Sequence, residues 1–175
     1  MKIKLLIAIA ALVLAGCSIN QPNVTNNNVN TGDTTAKPET NSANNNIDIP
    51  ASNILDLSSQ ELSKIPDNVF NKTNLEELNV SNNKLSGAMQ AEIRQLSKLK
   101  ILNASNNMMT GVPAEVGQLS NLEVLDLSNN QLTGLPYEIG NLQKLKTLNI
   151  SGNNYSAQDL KIIQDKLPAT VNIIK

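Results

Sequence analysis

One apolar pattern recurs through most of this chain and limits its possible folds more than any other feature. The pattern L-x-x-L-x-L-x-x-N-x-L recurs five times between residues 52 and 155, with other apolar residues at some Leu positions and with Ser52 and Gln60 at the first Leu and the Asn of the first repeat. Its first positions are spaced by 23, 24, 23 and 23 residues and are Ser52, Leu75, Leu99, Leu122 and Leu145. A fixed period of this length is typical of stacked repeats, in which no single repeat can bury its own apolar face. The sequence therefore predicts an array of similar units that is stable only as a stack.

Each repeat contains a short alternating segment that predicts a β-strand. The centres of these segments are Leu55/Leu57, Leu78/Val80, Leu102/Ala104, Leu125/Leu127 and Leu148/Ile150. Alternation places both apolar residues of each centre on one face, and successive strands are expected to pair in parallel at about 4.8 Å. Apolar residues in the outer half of each repeat, such as Ile93, Val116 and Ile139, are expected to close the core from the other side.

The repeats resemble the leucine-rich repeat family, of the bacterial 23-residue type. The outer half of that repeat reads L-P-x-x-I-G-x-L-x-x-L, as in residues 135–145, and the resemblance covers residues 52–155. It implies an α/β fold: a right-handed solenoid with a parallel β-sheet on its concave face and short helical or irregular return segments. It also implies an inward asparagine ladder where the chain turns out of each strand, at Asn83, Asn107, Asn130 and Asn153. An amide can supply both a donor and an acceptor to that turning backbone.

The second repeat and the two ends depart from the pattern. The second repeat lacks the outer proline and has one extra residue, so a bulging outer loop is expected at residues 86–89. After Tyr155, Ser156 opens a segment like a capping box, apolar residues at 160, 163 and 167 follow at helical spacing, and Pro168 is expected to end the helix. A closing strand is expected at 171–174. We therefore expect a repeat domain at 47–155, with 47–49 as a minimal N-terminal lid, and a helix-plus-strand cap at 156–175.

The N-terminus has the features of a secretion signal that ends at a cysteine. Lys2 and Lys4 precede an uncharged apolar run at residues 5–15, which is shorter than the ~20 residues of a membrane-spanning helix. Residues 14–17, Leu-Ala-Gly-Cys, resemble the lipobox of bacterial lipoproteins. The resemblance implies a signal peptide at 1–16 and Cys17 as the lipidated, palmitate-carrying N-terminus of the mature protein. The alternative is an ordinary signal peptide, or an uncleaved anchor, with an incidental cysteine.

The segment behind the cysteine differs abruptly in composition from the repeats. Residues 17–46 are dominated by Asn, Thr, Ser and Pro with isolated Val, which is too polar to bury a core. We therefore expect a disordered tether between the lipidated cysteine and the repeats. The expected location is the bacterial cell envelope, and the outer membrane or cell surface if the host has an outer membrane.

Composition excludes several kinds of chemistry. The chain has no histidine and one cysteine among its 175 residues. Histidine-dependent triads, zinc clusters of cysteine and histidine, and an intramolecular disulfide are therefore excluded. The formal net charge is −1 and the basic residues are scattered, which does not indicate nucleic-acid binding. We expect no enzymatic activity, no cofactor and no metal site.

Positions that flank the inward residues of the strands form columns across the expected concave face. One column contains Ile54, Glu77, Ile101, Val124 and Thr147, and the column two residues later contains Asp56, Asn79, Asn103, Asp126 and Asn149. Solenoids usually bind through this face, so these side chains are candidates for contact with a partner. The alternative is that the Asp and Asn residues are simply part of the repeat consensus. The columns lack the Trp, Tyr and Arg of strong binding hot spots.

These observations leave two hypotheses for function. The first is a membrane-anchored, extracytoplasmic binding module that recognises a protein, or as second choice a glycan, through its concave sheet. The second is a structural or adhesin-like envelope protein without a defined small partner. Lipidation at Cys17 is expected under both, so binding through the concave columns distinguishes them.

Overall fold

The main element of the fold is a parallel sheet of short strands. The computed structural model describes residues 52–175. The main sheet contains β1 (Ile54–Asp56), β2 (Glu77–Asn79), β4 (Ile101–Asn103), β6 (Val124–Asp126), β7 (Thr147–Asn149) and β8 (Asn172–Ile174), and a second sheet contains β3 (Ser86–Ala88) and β5 (Met108–Gly111). A single α-helix in the described residues, α1, spans Ala157–Gln164. The strand order of the main sheet is β1-β2-β4-β6-β7-β8, so each turn of the chain adds one strand at the edge.

Every pair in the main sheet is parallel and keeps one register. The central residues Leu55, Leu78, Leu102, Leu125, Leu148 and Ile173 are aligned across it. The five leucines of this row are at most 4 % exposed, as expected for the inward side of a pleated strand. The predicted parallel sheet of five repeats is confirmed. The predicted closing strand is also confirmed, because β8 pairs with β7 as a sixth member.

Short 3₁₀ helices form the return segments of the solenoid. They span Asp67–Val69, Ala91–Gln95, Ala114–Gln118 and Tyr137–Asn141. A proline precedes three of the four, at residues 66, 113 and 136, where its missing N–H would have no helical partner. Ile93, Val116 and Ile139 project from these helices and are fully buried. The core therefore lies between the main sheet and the return segments, as the sequence predicts.

The outer part of the second repeat is not the bulging loop that we expected at residues 86–89. Residues 86–88 instead form β3, which pairs in parallel with β5; the register shifts between Gly87 and Ala88, where Thr110 of β5 is skipped. Gln90 occupies the position of the missing proline. Its side-chain oxygen accepts a hydrogen bond from the Ile65 N–H at 3.1 Å, and its Nε2 donates to the Ile65 carbonyl at 2.7 Å. The amide of Gln90 thus bonds to the first repeat as a strand backbone would.

The helix of the C-terminal cap begins where it was predicted to begin, but it ends before the predicted residue. The Ser156 hydroxyl caps α1 by accepting bonds from the N–H groups of Gln158 and Asp159, which satisfies two donors of the first turn. The helix ends at Gln164, so the predicted end at Pro168 is wrong by about one turn. Leu167, between Gln164 and Pro168, is buried. Because it precedes a proline, the α conformation is disfavoured for it, which is consistent with a helix end before Pro168.

Several predictions fall on residues outside the described part. They are the signal peptide at 1–16, the lipidated Cys17 with the tether at 17–46, and the N-terminal lid at 47–49. Within residues 52–175, no helix has both the length and the apolar character needed to cross a bilayer.

Candidate functional site

The concave face consists of the side chains that alternate with the buried leucines of the main sheet. In β2, β4, β6 and β7 both flanking residues are partly exposed, and in β1 both are exposed. The structure therefore brings all ten candidate side chains to one surface in two adjacent columns. We call the column from Ile54 to Thr147 the outer column and the column from Asp56 to Asn149 the central column. Ile54 is the most exposed aliphatic residue of this face, at 51 %.

The central column has a structural role at the end of each strand. In every repeat a side-chain oxygen of its Asp or Asn accepts a hydrogen bond from the N–H of a serine two residues later, over 2.8–3.3 Å. In the last three repeats the serine hydroxyl donates to the same oxygen, as Ser128 does to Asp126 at 2.6 Å. These are Asx turns, which can be formed by either Asp or Asn. One oxygen of each central residue is therefore committed to the scaffold, and the other polar atom of its side chain is not used by the turn.

Those remaining atoms are only partly satisfied within the sheet. The Asn149 Nδ2 donates to the second carboxylate oxygen of Asp126 at 3.1 Å. The backbone N–H of Ser58, and to a smaller extent the side chain of Asn79, hold the pKa of Asp56 below its usual value. The Nδ2 group of Asn103, in the middle of the column, makes no hydrogen bond to any described residue. The column therefore presents one free amide donor between two carboxylates.

Alternating charges border the outer column on its side away from the central column. Lys100 Nζ lies 2.7 Å from a carboxylate oxygen of Glu76, and Lys146 Nζ lies 2.5 Å from one of Glu123. Each lysine lowers the pKa of its glutamate partner through a hydrogen bond and charge attraction. Both lysines are exposed and both glutamates are partly exposed, so water screens these pairs and they contribute little to stability. Their effect on the site is that both lysines already have acidic partners.

The four asparagines predicted to line the turns are directed into the protein. Three of them, Asn83, Asn107 and Asn130, are at most 9 % exposed. Asn130 Nδ2 donates to the carbonyls of Ala104, Leu127 and Ser128 at 3.0, 3.0 and 3.2 Å. Its Oδ1 accepts from the Met109 N–H at 3.0 Å. Asn83, Asn107 and Asn153 bond to equivalent groups of their own and the preceding repeat.

Sequence reasoning missed two features of this region. The residues just before the asparagine ladder all have positive φ: Ser59, Asn82, Asn106, Asn129 and Gly152, at 58°, 55°, 54°, 52° and 67°. Glycine and asparagine tolerate this conformation best, and the glycine at 152 was the signal for it. The second feature is that β8 extends both columns with Asn172 and Ile174, and Ile174 is 41 % exposed.

The carboxylates of the concave face are spread across the sheet. Among residues 52–175, no group of three or more Asp, Glu, His or Cys side chains is placed to hold a metal ion. Asp56 and Asp126 are three strands apart in the sheet, which corresponds to about 14 Å. That separation exceeds the ~5–9.5 Å between paired carboxylates in glycosidases. The face is suited to contact with another molecule.

A family model for the leucine-rich repeat region matches residues 73–165, which is more than half of the chain. The chain belongs to the leucine-rich repeat family. Proteins of this family typically act as binding modules without enzymatic activity, and the fold commonly mediates protein–protein recognition. No curated protein matches the sequence.

Solved structures of other leucine-rich repeat proteins are similar to this repeat domain. A leucine-rich repeat protein of Leptospira interrogans is 37 % identical, with a TM-score of 0.59 over 64 % of this chain and 28 % of that one. The ectodomain of the Arabidopsis thaliana receptor kinase GASSHO1/SCHENGEN3, in complex with CASPARIAN STRIP INTEGRITY FACTOR 2, is 32 % identical, with a TM-score of 0.54 over 63 % of this chain and 13 % of that one. The SOBIR1 ectodomain of Arabidopsis thaliana is 27 % identical, with a TM-score of 0.50 over 61 % and 57 %. This chain thus spans less than a third of the first two proteins.

Proposed function

We propose that this protein is a membrane-anchored, extracytoplasmic module that binds a protein partner on its concave sheet. The observation that carries the proposal is the accessible face itself. It contains aliphatic side chains at Ile54, Ile101 and Val124 beside a polar column. No described segment of the chain covers Ile54, which is half exposed. The GASSHO1/SCHENGEN3 ectodomain, which shares this repeat fold, was solved with a bound factor, and that precedent supports a protein ligand over a glycan.

The anchor is proposed to be lipid on Cys17, followed by the tether at 17–46. A flexible chain of about 30 residues has an average reach on the order of 30 Å. That distance would keep the repeats near the bilayer while leaving the concave face accessible. Placement at the cell envelope, at the outer membrane or cell surface of a host with two membranes, follows from the same proposal.

Replacing Cys17 with serine tests the anchor. We expect Cys17→Ser to prevent lipid attachment and signal processing, since only the thiolate can form the thioether. Wild-type protein should incorporate labelled palmitate and partition into the detergent phase, and the variant should do neither. A Cys17→Ser protein that is still processed and labelled would refute lipidation. Protease treatment of intact cells then determines whether the repeats face outward.

A pair of concave substitutions tests the binding face. The double variant Ile101→Ser/Val124→Ser removes apolar contact at the centre of the face without adding charge. For a partner captured from the envelope, we expect saturable binding to the wild type and at least about ten-fold weaker binding to the variant, the loss expected when central contacts are removed.

Met108→Ser is the matched control for that pair. Met108 is 42 % exposed on β5, outside both concave columns, so its replacement should leave the dissociation constant unchanged. Loss of binding in the control alone would move the site away from the concave sheet. Absence of any saturable partner would favour the structural or adhesin-like envelope protein instead. Thermal unfolding of all variants separates binding effects from misfolding.

A further inference from the structure

We propose that the partner presents an extended, positively charged segment to the concave sheet, with two Lys or Arg residues four positions apart. This inference rests on the proposed function and adds the chemistry of the bound segment. In β1 to β8 of the main sheet, the outer and central columns contain three carboxylates, Asp56, Glu77 and Asp126, and no Lys or Arg.

The neighbouring lysines do not neutralise these carboxylates. Lys100 and Lys146 lie outside the two columns and are bonded to Glu76 and Glu123. Glu76 is the largest cause of the raised pKa of Lys100, and Glu77 contributes least. The carboxylate of Glu77 has no hydrogen-bonded or ion-paired cation among the described residues. The face therefore keeps an excess of negative charge, which favours a cationic partner and disfavours an acidic one.

The positions of the carboxylates favour cationic side chains over a metal ion. No group of three or more Asp, Glu, His or Cys side chains in residues 52–175 is placed to hold a metal. Asp56 and Asp126 are separated by three strand spacings, or about 14 Å. An extended segment that crosses the strands advances about 3.3 Å per residue and alternates its side chains. Residues four apart on such a segment therefore point the same way at a separation of about 13 Å.

The residues between the two carboxylates complete the fit to an extended segment. The free Nδ2 of Asn103 lies between Asp56 and Asp126 in the central column and can donate to a backbone carbonyl of the segment. Ile101 and Val124 adjoin it in the outer column, where they would contact a small apolar side chain midway between the two cations. Lys and Arg both suit the ends, because the carboxylate oxygen that does not bond to Ser58 or Ser128 can accept a charge-assisted hydrogen bond from either cation.

The charges can be removed without changing the turns. Asp56→Asn and Asp126→Asn retain the oxygen that accepts from Ser58 and Ser128. Asn79, Asn103 and Asn149 already make this turn in the other repeats. The triple variant Asp56→Asn/Glu77→Gln/Asp126→Asn should therefore fold like the wild type. The matched control, Asp67→Asn/Glu92→Gln/Glu138→Gln, removes three carboxylates from the return segments.

The probe is a random linear peptide library selected on the full-length protein in detergent. We expect selected peptides to be enriched in Lys or Arg pairs four residues apart. The best synthetic peptide should bind the triple variant at least ten-fold more weakly than the wild type, and the return-segment control equally well. Raising NaCl from about 50 to 500 mM should weaken binding to the wild type, because salt screens exposed charges.

Three other outcomes would overturn this inference, and they differ in what they mean for the proposed function. Peptides that lack basic pairs, yet bind the wild type and lose affinity for Ile101→Ser/Val124→Ser, would overturn the cationic partner and leave concave binding intact. Peptides that bind the wild type, the triple variant and Ile101→Ser/Val124→Ser with equal affinity would overturn both the cationic partner and binding on the concave face. Enrichment of basic pairs at another spacing would overturn the extended segment that crosses the strands.

Discussion

Asn130→Ala should destabilise the repeat domain by about 3 kcal/mol, because the amide satisfies buried backbone groups of two repeats. The substitution leaves the Met109 N–H without its acceptor and removes a donor from three carbonyls. Asn130 is only 8 % exposed, so water cannot easily replace those bonds. Thermal unfolding should show a midpoint lower by roughly 10 °C. Because Asn130 does not belong to the concave columns, a folded Asn130→Ala protein should bind partner with little change in affinity.

The neighbouring asparagine provides the control for this prediction. Asn129 is exposed, has φ 52°, and donates a single side-chain bond, to Asn106 at 3.0 Å. Glycine adopts this conformation without strain and already occupies the same place in the last repeat, at residue 152. Asn129→Gly should therefore change the free energy of unfolding by less than about 0.5 kcal/mol. Equal losses in the two variants would contradict the assignment of separate roles.

This adjacent pair illustrates how much of the fold the sequence could predict. The inward leucines and the ladder asparagines recur with one chemical type, so their positions and directions follow from the pattern. The residue before the ladder varies among Ser, Asn and Gly, because its backbone conformation is what the turn requires. Because several residue types can adopt a positive φ, such a position is harder to recognise from one sequence than a position that always carries the same residue type.

The sequence predicted which face carries the candidate site, but not which hydrogen bonds its side chains make. Alternation about the leucines placed the ten candidate residues on one face, and the register of the sheet agrees. The sequence could not separate a binding role from a scaffold role for Asp126, because both use a carboxylate. The structure shows that one oxygen bonds to Ser128 while the other accepts from Asn149 at the surface. The small sheet of β3 and β5 was missed because β3 is exposed along its whole length and lacks the alternation of apolar residues that predicts a strand.

Gly117→Ala should be among the most damaging single substitutions in the return segments. A Cβ at Gly117 would meet the carbonyl oxygen of Glu138 in the next repeat and would lie 2.6 Å from its carbonyl carbon. This obstacle is backbone, which cannot rotate away as a side-chain tip can, so the third and fourth repeats must separate. We expect a loss of about 3 kcal/mol or more, at or above the upper end for overpacked cores. Because each repeat contacts only its neighbours, urea unfolding should also become broader, with a lower m-value.

Other glycines provide the comparison. A Cβ at Gly134 would lie 3.5 Å from a carboxylate oxygen of Asp159, and one at Gly111 would lie 3.6 Å from the Ala88 Cβ. Both distances are ordinary contacts, so Gly134→Ala and Gly111→Ala should be neutral or stabilising by up to about 1 kcal/mol. Phe70 and Arg94 occupy the position of Gly117 in the first two repeats, so the repeat pattern alone does not require glycine there. If the Gly117→Ala protein unfolds in urea as cooperatively as the Gly134→Ala protein, the two return segments can move apart at little cost.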